Sequence, residues 1–252
     1  MLEIKELSAG YGKREVLRDL SLALPDGKLT AVVGANGSGK STLLRSVAGI
    51  IPYTGEIILD GVPTSSLSRA ELSRRVSYLP QLRRAPDMTV EELVLKGRFP
   101  HLAYPRRYSE KDRQIALRAM EGLGISDIAD RPLATLSGGM RQTAYLAMAV
   151  AQDAGTVLLD EPTAFLDASH AAALMRLLRR LSREGRCVAA VLHDLPLAFS
   201  FADSVAVVDG GRIVLSGTPS ELAGSEALAS AIGLPLLPTD DGGYRFIYGK
   251  ST

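Results

Sequence analysis

The sequence predicts an α/β fold, a core sheet with an inserted α-helical subdomain, and three observations predict it. Short β-branched apolar runs alternate with segments of 3.6-residue apolar periodicity. Between residues 86 and 152 the strand signal disappears and the periodicity is helical. A glycine-rich turn joins one of the apolar runs directly to a helix. With 252 residues the chain suits one large domain, or a core with a smaller insert, and its 46% apolar share can fill that interior.

Taken in order, Leu29–Val33 is the first buried strand and residues 40–48 the helix after it. Thr156–Asp160, 187–192 and 204–208 read as further buried strands, with helices at 170–182 and Leu195–Phe201. TVEELVLKG, SEKDRQIALRAMEGLG and SGGMRQTAYLAMAVAQ each read as helix. The chain therefore divides into a core of residues 1–85 and 153–252 and a helical subdomain of residues 86–152. From Gly233 it is rich in proline and glycine and finishes in GGYRFIYGK, read as a short strand. There are no internal repeats and no low-complexity tracts.

Lys+Arg 29 against Asp+Glu 28 gives a formal charge of +1, without the basic excess of a nucleic-acid footprint, so no nucleic-acid partner is expected. The arginine pairs Arg83-Arg84, Arg106-Arg107 and Arg179-Arg180 read as solvated faces. The single Cys187, in RCVAAVL, reads as a buried, inert thiol of a reducing cytosol. MLEIKELSAGYGKR carries charges where a signal peptide needs an apolar stretch. No segment approaches the ~18 unbroken apolar residues of a membrane span. The expectation is a soluble protein whose membrane role is exercised through a partner.

The glycine-rich turn lies in LTAVVGANGSGKSTLL. Gly34-Ala35-Asn36-Gly37-Ser38-Gly39-Lys40-Ser41 fits G-x-x-x-x-G-K-[ST], the phosphate loop of P-loop NTPases, in its required place between a strand and a helix. Glycines let successive backbone N–H groups turn inward around an anion. The helix start adds partial positive charge at the same point. Lys40 can reach the β- and γ-phosphates of a nucleotide, the Ser41 hydroxyl can ligate Mg²⁺, and Thr42 belongs to the same set. Without the strand before it and the helix after it, such a stretch would be an ordinary turn.

Val157-Leu158-Leu159-Asp160-Glu161 puts two acids at the end of a buried strand. Successive strand residues point to opposite sides, so the acids can take different tasks. Asp160 suits a water-mediated contact to Mg²⁺, and Glu161 suits the general base that orients an attacking water. An isolated Asp-Glu pair would be an ordinary strand end; the upstream phosphate loop favours catalysis.

Leu136-Ser137-Gly138-Gly139, about twenty residues before that strand, narrows the class. With the order of the other motifs, the chain resembles an ATP-binding-cassette (ABC) ATPase subunit over nearly its whole length. The resemblance implies ATP and Mg²⁺ as ligands and gives roles to four more positions. Tyr11, in SAGYGKREVL, resembles the aromatic that stacks on adenine. Gln81, in YLPQ, resembles the glutamine that senses the γ-phosphate and Mg²⁺ and hinges the helical insert. Leu166-Asp167 resembles the loop that crosses to a partner subunit, and His193, in AVLHD, the histidine that contacts the γ-phosphate. Outside this motif order Tyr11 would be packing, Gln81 uninformative and His193 a satisfied surface residue. His170 reads as a helix-face residue, and three histidines make no case for a metal cluster.

Ser137 can cap the helix that follows, with the Gly138 and Gly139 N–H groups facing outward, which makes a second anion-binding helix start. One triphosphate needs only one such grip. The family arrangement implies that the two grips come from two copies of the chain, so that ATP closes a head-to-tail dimer and hydrolysis releases it. Two departures stand out. The usual LSGGQ or LSGGE is also an S-x-x-Q/E capping box, which Met140 cannot complete, at a cost of ~0.5–1 kcal/mol of helix-end order partly offset by methionine packing. Phe165 stands where small or polar residues usually precede Leu-Asp.

Gly97-Arg98-Phe99-Pro100-His101, then Ser109-Glu110-x-Asp112, Ala119-Met120, Gln152-Asp153 and the run from His193 to Asp203, resemble an importer branch serving iron–siderophore, haem and cobalamin uptake. That resemblance implies a peripheral place on the cytoplasmic face of the inner membrane and a separate integral permease docked through residues 98–107. Indirectly it implies a substrate-binding protein. A DNA-repair relative would carry a long coiled coil between Gln81 and Leu136, and a translation relative would carry two cassettes. An exporter ATPase, or an importer of zinc or molybdate, shares the core motifs. The transported molecule is not written in a chain that never touches it.

Overall fold

The computed structural model describes residues 1–81, 86–164, 166–233 and 235–247. Arg83-Arg84, Phe165 and the end of GGYRFIYGK from Tyr248 lie outside the described residues. The chain opens in an antiparallel sheet, where β1 (Leu2–Tyr11) pairs with β2 (Arg14–Leu24). β3 (Leu29–Val33) then enters a second sheet and leads through the glycine-rich loop into α1 (Lys40–Val47). β4 (Tyr53–Leu59) and β5 (Val62–Pro63) return to the first sheet, ordered β2-β1-β4-β5. α2 (Arg69–Arg75) is followed by β6 (Val76–Leu79) at the edge of the second sheet.

Three helices come next, α3 (Val90–Lys96), α4 (Glu110–Gly122) and α5 (Gly138–Ala151), and they pack on one another. β7 (Thr156–Asp160), α6 (Ala168–Arg183), β8 (Cys187–Val191), α7 (Leu195–Phe201), β9 (Ser204–Asp209) and β10 (Arg212–Gly217) follow. They complete a six-stranded sheet ordered β10-β9-β3-β8-β7-β6, parallel except for β10. α8 (Pro219–Leu222), α9 (Glu226–Ile232) and a hairpin of β11 (Leu236–Pro238) and β12 (Tyr244–Phe246) close the chain. The Tyr244 ring meets Phe199 of α7 edge-on at 5.5 Å.

β3, β7 and β8 are buried along their whole length, which is why they read as unbroken apolar runs. Alternate residues feed two different cores. Val157 and Leu159 join the core under the helices, together with Leu174 and Leu178 of α6. Leu158 joins the core between the two sheets, with Leu7, Leu17 and Leu43. Cys187 also faces this second core, and burial pushes its thiol up to about 12. Among the described residues, no helix is long and apolar enough to cross a membrane.

The segment GRFPH departs from expectation. Arg98 is buried rather than part of an outer surface: its Nη1 donates to the Ala151 carbonyl at 2.8 Å and its Nε to Asp112 Oδ1 at 3.2 Å. His101 Nε2 donates to the Gln152 carbonyl at 2.8 Å. A helix leaves its last carbonyls without partners, and these two side chains satisfy them at the end of α5. Gly97 completes the clasp, because a Cβ there would strike the Met148 carbonyl. The exposed part of residues 98–107 is Phe99 and the stretch from Ala103 to Arg107, with the Arg106 guanidinium 4.6 Å above the Phe99 ring.

Candidate functional site

β3 ends between β8 and β9, and the loop after it curls back on itself. Gly34, Gly37 and Gly39 have φ of 144°, 80° and 114°, values that residues with a Cβ adopt only under strain. At Gly34 a Cβ would also strike the Val208 carbonyl. The loop closes around Lys40, whose Nζ donates to the Gly34 and Ala35 carbonyls, each at 2.8 Å. Burial lowers the pKa of Lys40, outweighing the opposing pull of Glu161 and Asp160. Ser38 Oγ is buried with no hydrogen-bond partner.

Beside the loop lies a cleft of ≈ 340 Å³ lined by Tyr11, Asn36, Gly37, Gly39, Lys40, Ser41, Thr42, Glu161 and His193. Arg14 and Val16 also line it, and no motif marks either of them. Asp160 ends β7 with both carboxylate oxygens engaged: Oδ1 accepts from Ser41 Oγ at 2.8 Å and Oδ2 from the Tyr78 hydroxyl at 3.2 Å. Glu161 follows in the left-handed region, φ 54°, a conformation costing about 1–3 kcal/mol for such a residue. This turn aims its carboxylate away from Asp160. Oε2 accepts from Gln81 Nε2 and Oε1 from His193 Nε2, both at 2.6 Å.

Arg45 on α1 was not foreseen. Its Nη1 donates to the Tyr11 hydroxyl at 3.1 Å and its Nε to the Tyr78 hydroxyl at 3.4 Å. Burial is the main cause that pushes the Tyr78 phenol up to about 12.

The remaining residues of interest form a second group. Ser137 caps α5, its Oγ accepting from the Met140 N–H at 3.3 Å, with no return bond from Met140. α2, α3, α4 and α8 all have reciprocal boxes, from Ser68/Glu71, Thr89/Glu92, Ser109/Asp112 and Thr218/Glu221. Asp167 caps α6, and hydrogen bonds from the His170 N–H, the His170 ring and Ser169 Oγ lower its carboxyl to about 2. His170 is on the helix face as expected, but its ring also packs under Gly139. Gly139 and His170 border a separate hollow of ≈ 430 Å³ between α5 and α6. Ser137, Gly138, Gly139 and Asp167 do not line the first cleft.

The first cleft fits a nucleotide with a hard divalent cation. The loop offers a buried ammonium and an unpartnered hydroxyl to an anion. Among the described residues no group of three or more His, Cys, Asp or Glu could hold a metal by itself. A cation at Ser41 and Asp160, with Gln81 near by, would complete its shell with water and phosphate oxygens, which is the habit of Mg²⁺.

A phosphate loop after the central strand β3 and a carboxylate pair at the end of β7, with β8 between the two, define a P-loop NTPase. Residues 17–164 match the family model described as ABC transporter. The chain is 42% identical over 240 residues to the ferric enterobactin transport ATP-binding protein FepC of Escherichia coli (strain K12), covering 94% of this chain and 89% of that protein. It is 39% identical over 224 residues to the iron(3+)-hydroxamate import ATP-binding protein FhuC of Bacillus subtilis (strain 168), covering 88% and 83%. With the hemin import ATP-binding protein HmuV of Nocardia farcinica (strain IFM 10152) the identity is 40% over 228 residues, covering 89% and 78%. Among solved structures, the dimeric structure of MJ0796, a bacterial ABC transporter cassette, superposes with a TM-score of 0.75 at 26% identity, covering 87% of this chain and 99% of that one. A nucleotide-free ATP-binding cassette from an ABC transporter has the same fold, with a TM-score of 0.79 at 22% identity over 92% of this chain and 94% of the other. The chain belongs to the ABC transporter family.

Proposed function

We propose that this chain is the ATP-hydrolysing subunit of an importer that takes up an iron chelate, a ferric siderophore or haem, through a separate membrane permease. One observation carries the hydrolysis: the Glu161 carboxylate lines the cleft of Lys40 and Ser41 and is held at 2.6 Å by both Gln81 Nε2 and His193 Nε2. A carboxylate fixed by two donors is oriented to accept a proton from water, as a general base must be.

In this reading Tyr11 stacks on adenine, and the N–H groups of residues 34–42 enclose the phosphates. Lys40 exchanges the Gly34 and Ala35 carbonyls for phosphate oxygens, with which its charge has a stronger interaction. Ser41 and Gln81 would hold Mg²⁺, with Asp160 reaching it through water, and the bound cation would neutralise charge building on the phosphate oxygens. Glu161, still held at Oε2 by Gln81 Nε2, takes the proton of the water that adds to the γ-phosphorus as ADP leaves, and His193, which holds Oε1 before the nucleotide enters, turns to the γ-phosphate.

Ser137, Gly138, Gly139 and Asp167 act on the nucleotide of a second copy. That assignment is supported by their absence from the cleft of their own chain and by the likeness to a dimeric cassette. Names of relatives such as FepC, FhuC and HmuV support import and the class of cargo. Phe99, Tyr104, Arg106 and Arg107 form the surface offered to the permease, with the chain peripheral on the cytoplasmic face of the inner membrane. A substrate-binding protein takes part only through the permease. The formal charge of +1 offers nothing to nucleic acid.

Glu161→Gln tests the chemistry. It should bind ATP, accumulate as a dimer and lose more than about 99% of turnover, since a missing base costs on the order of 10²–10⁴. Wild-type turnover by this variant would overturn the assignment. Cells relying on it should also fail to take up iron chelate, and the permease should co-purify from detergent-solubilised membranes.

A further inference from the structure

Tyr78 and Arg45 have no task in the reaction described so far, yet they sit where the carboxylate of Asp160 is set. β6 runs parallel to β7 with Tyr78 opposite Leu158, two residues before Asp160. From there the Tyr78 hydroxyl reaches Asp160 Oδ2 at 3.2 Å, while Ser41 holds Oδ1 at 2.8 Å. With both oxygens bonded, the carboxylate cannot rotate about its own axis without losing a partner.

Arg45 decides which way the phenol points. A guanidinium only donates, and a tyrosine hydroxyl has one proton. Because Arg45 Nε–H occupies the acceptor side of the Tyr78 oxygen at 3.4 Å, the phenol proton is left for Asp160. Arg45 follows Ser41 by one helical turn on α1, so the two residues acting on Asp160 from this helix share a face. Its Nη1 is bonded to Tyr11 at 3.1 Å, which keeps the guanidinium from swinging toward Asp160 itself.

We infer that Tyr78, aimed by Arg45, is a positioning residue that orients Asp160 toward the divalent cation. The inference rests on the reading of Asp160 as the metal-side carboxylate. Partners that orient a metal ligand from behind typically change metal affinity by about 10–100-fold when removed.

The test titrates Mn²⁺, an oxygen-seeking stand-in for Mg²⁺, into the full chain with a non-hydrolysable ATP analogue and follows free Mn²⁺ by electron paramagnetic resonance. Tyr78→Phe keeps the ring and its packing; it should weaken Mn²⁺ binding about tenfold and leave nucleotide affinity in EDTA within about twofold. Arg45→Met should weaken Mn²⁺ in the same direction, and the double variant should be no worse than Tyr78→Phe, because the two act in series. Additive losses would mark two independent packing defects and overturn the inference. Asp160→Asn separates the levels: if it leaves Mn²⁺ affinity unchanged, the reading of Asp160 falls. If Asp160→Asn weakens Mn²⁺ while Tyr78→Phe binds like wild type, only the positioning role falls.

Discussion

The imidazole edge of His170 lies against Gly139, so close that a Cβ added to the glycine would sit 2.9 Å from Cδ2. His170 cannot easily withdraw, because its Nδ1 donates to the Asp167 carboxylate at 2.8 Å. Gly139→Ala should therefore tilt the start of α5 and lower ATPase activity by about tenfold, the kinetic equivalent of roughly 1–3 kcal/mol of overpacking. His170→Ala removes the obstacle. The Gly139→Ala/His170→Ala pair should regain most of the lost rate, and a pair as slow as Gly139→Ala alone would remove His170 from the explanation.

Asp167 gives a pH-dependent prediction. Bonds from the His170 N–H, the His170 ring and Ser169 lower its carboxyl from 3.8 to about 2. The folded chain therefore binds this proton less readily than the unfolded chain. The stabilisation is complete above the unfolded value of 3.8 and fades as the pH falls through about 2. Thermal unfolding should show a constant gap between wild type and Asp167→Ala above roughly pH 5, narrowing between about 4 and 2. A gap unchanged at pH 2 would mean that the charge of Asp167 does not hold the cap.

Met140 leaves α5 as a helix with half a box beside four helices with complete ones. Met140→Gln restores a side chain able to bond back to the Ser137 N–H, worth about 0.5–1 kcal/mol less the methionine packing it removes. The expected result is a modest gain, about twofold, in ATPase rate at saturating ATP. Lower activity in the restored variant would show that order at this helix start does not limit turnover.

Arg98 is a stability residue in the fold found here. Removing it strands Asp112 and the Ala151 carbonyl in a buried place, and Arg98→Ala should cost about 3 kcal/mol in urea unfolding. Had it been an exposed contact to the permease, the change would stay within about 0.5 kcal/mol.

The parts of this molecule legible in its sequence are those where backbone conformation or two-sided burial dictates residue type. The loop from Gly34 to Ser41 needs left-handed backbone, so it is written in glycine. β3, β7 and β8 are covered on both faces, so they are written in aliphatics. The first sheet was missed because its alternation is broken: β1 is interrupted at Glu6, φ 50°, and β2 at Asp19, φ 44°, with register shifts near each. Each irregularity resets the period-two pattern that would announce a strand. Arg45 was invisible for another reason. A lone arginine on a helix face carries no mark of partners 33 and 34 residues away. Arg98 misled because charge ordinarily means surface, and only the geometry shows a helix end that needs donors.

α5 is fastened through its last carbonyls by Arg98 and His101, while its first turn, residues 138–141, has no fully buried side chain and carries Gly139 against the His170 imidazole. Its 14 residues make a rod of about 21 Å. Swivelled by about 10° at the fastened end, such a rod carries its free tip through roughly 3.6 Å, farther than the span of one hydrogen bond. GRFPH is therefore placed like the fulcrum of a lever, and a push on the outer face beside it that swivelled α5 would carry Ser137 with it.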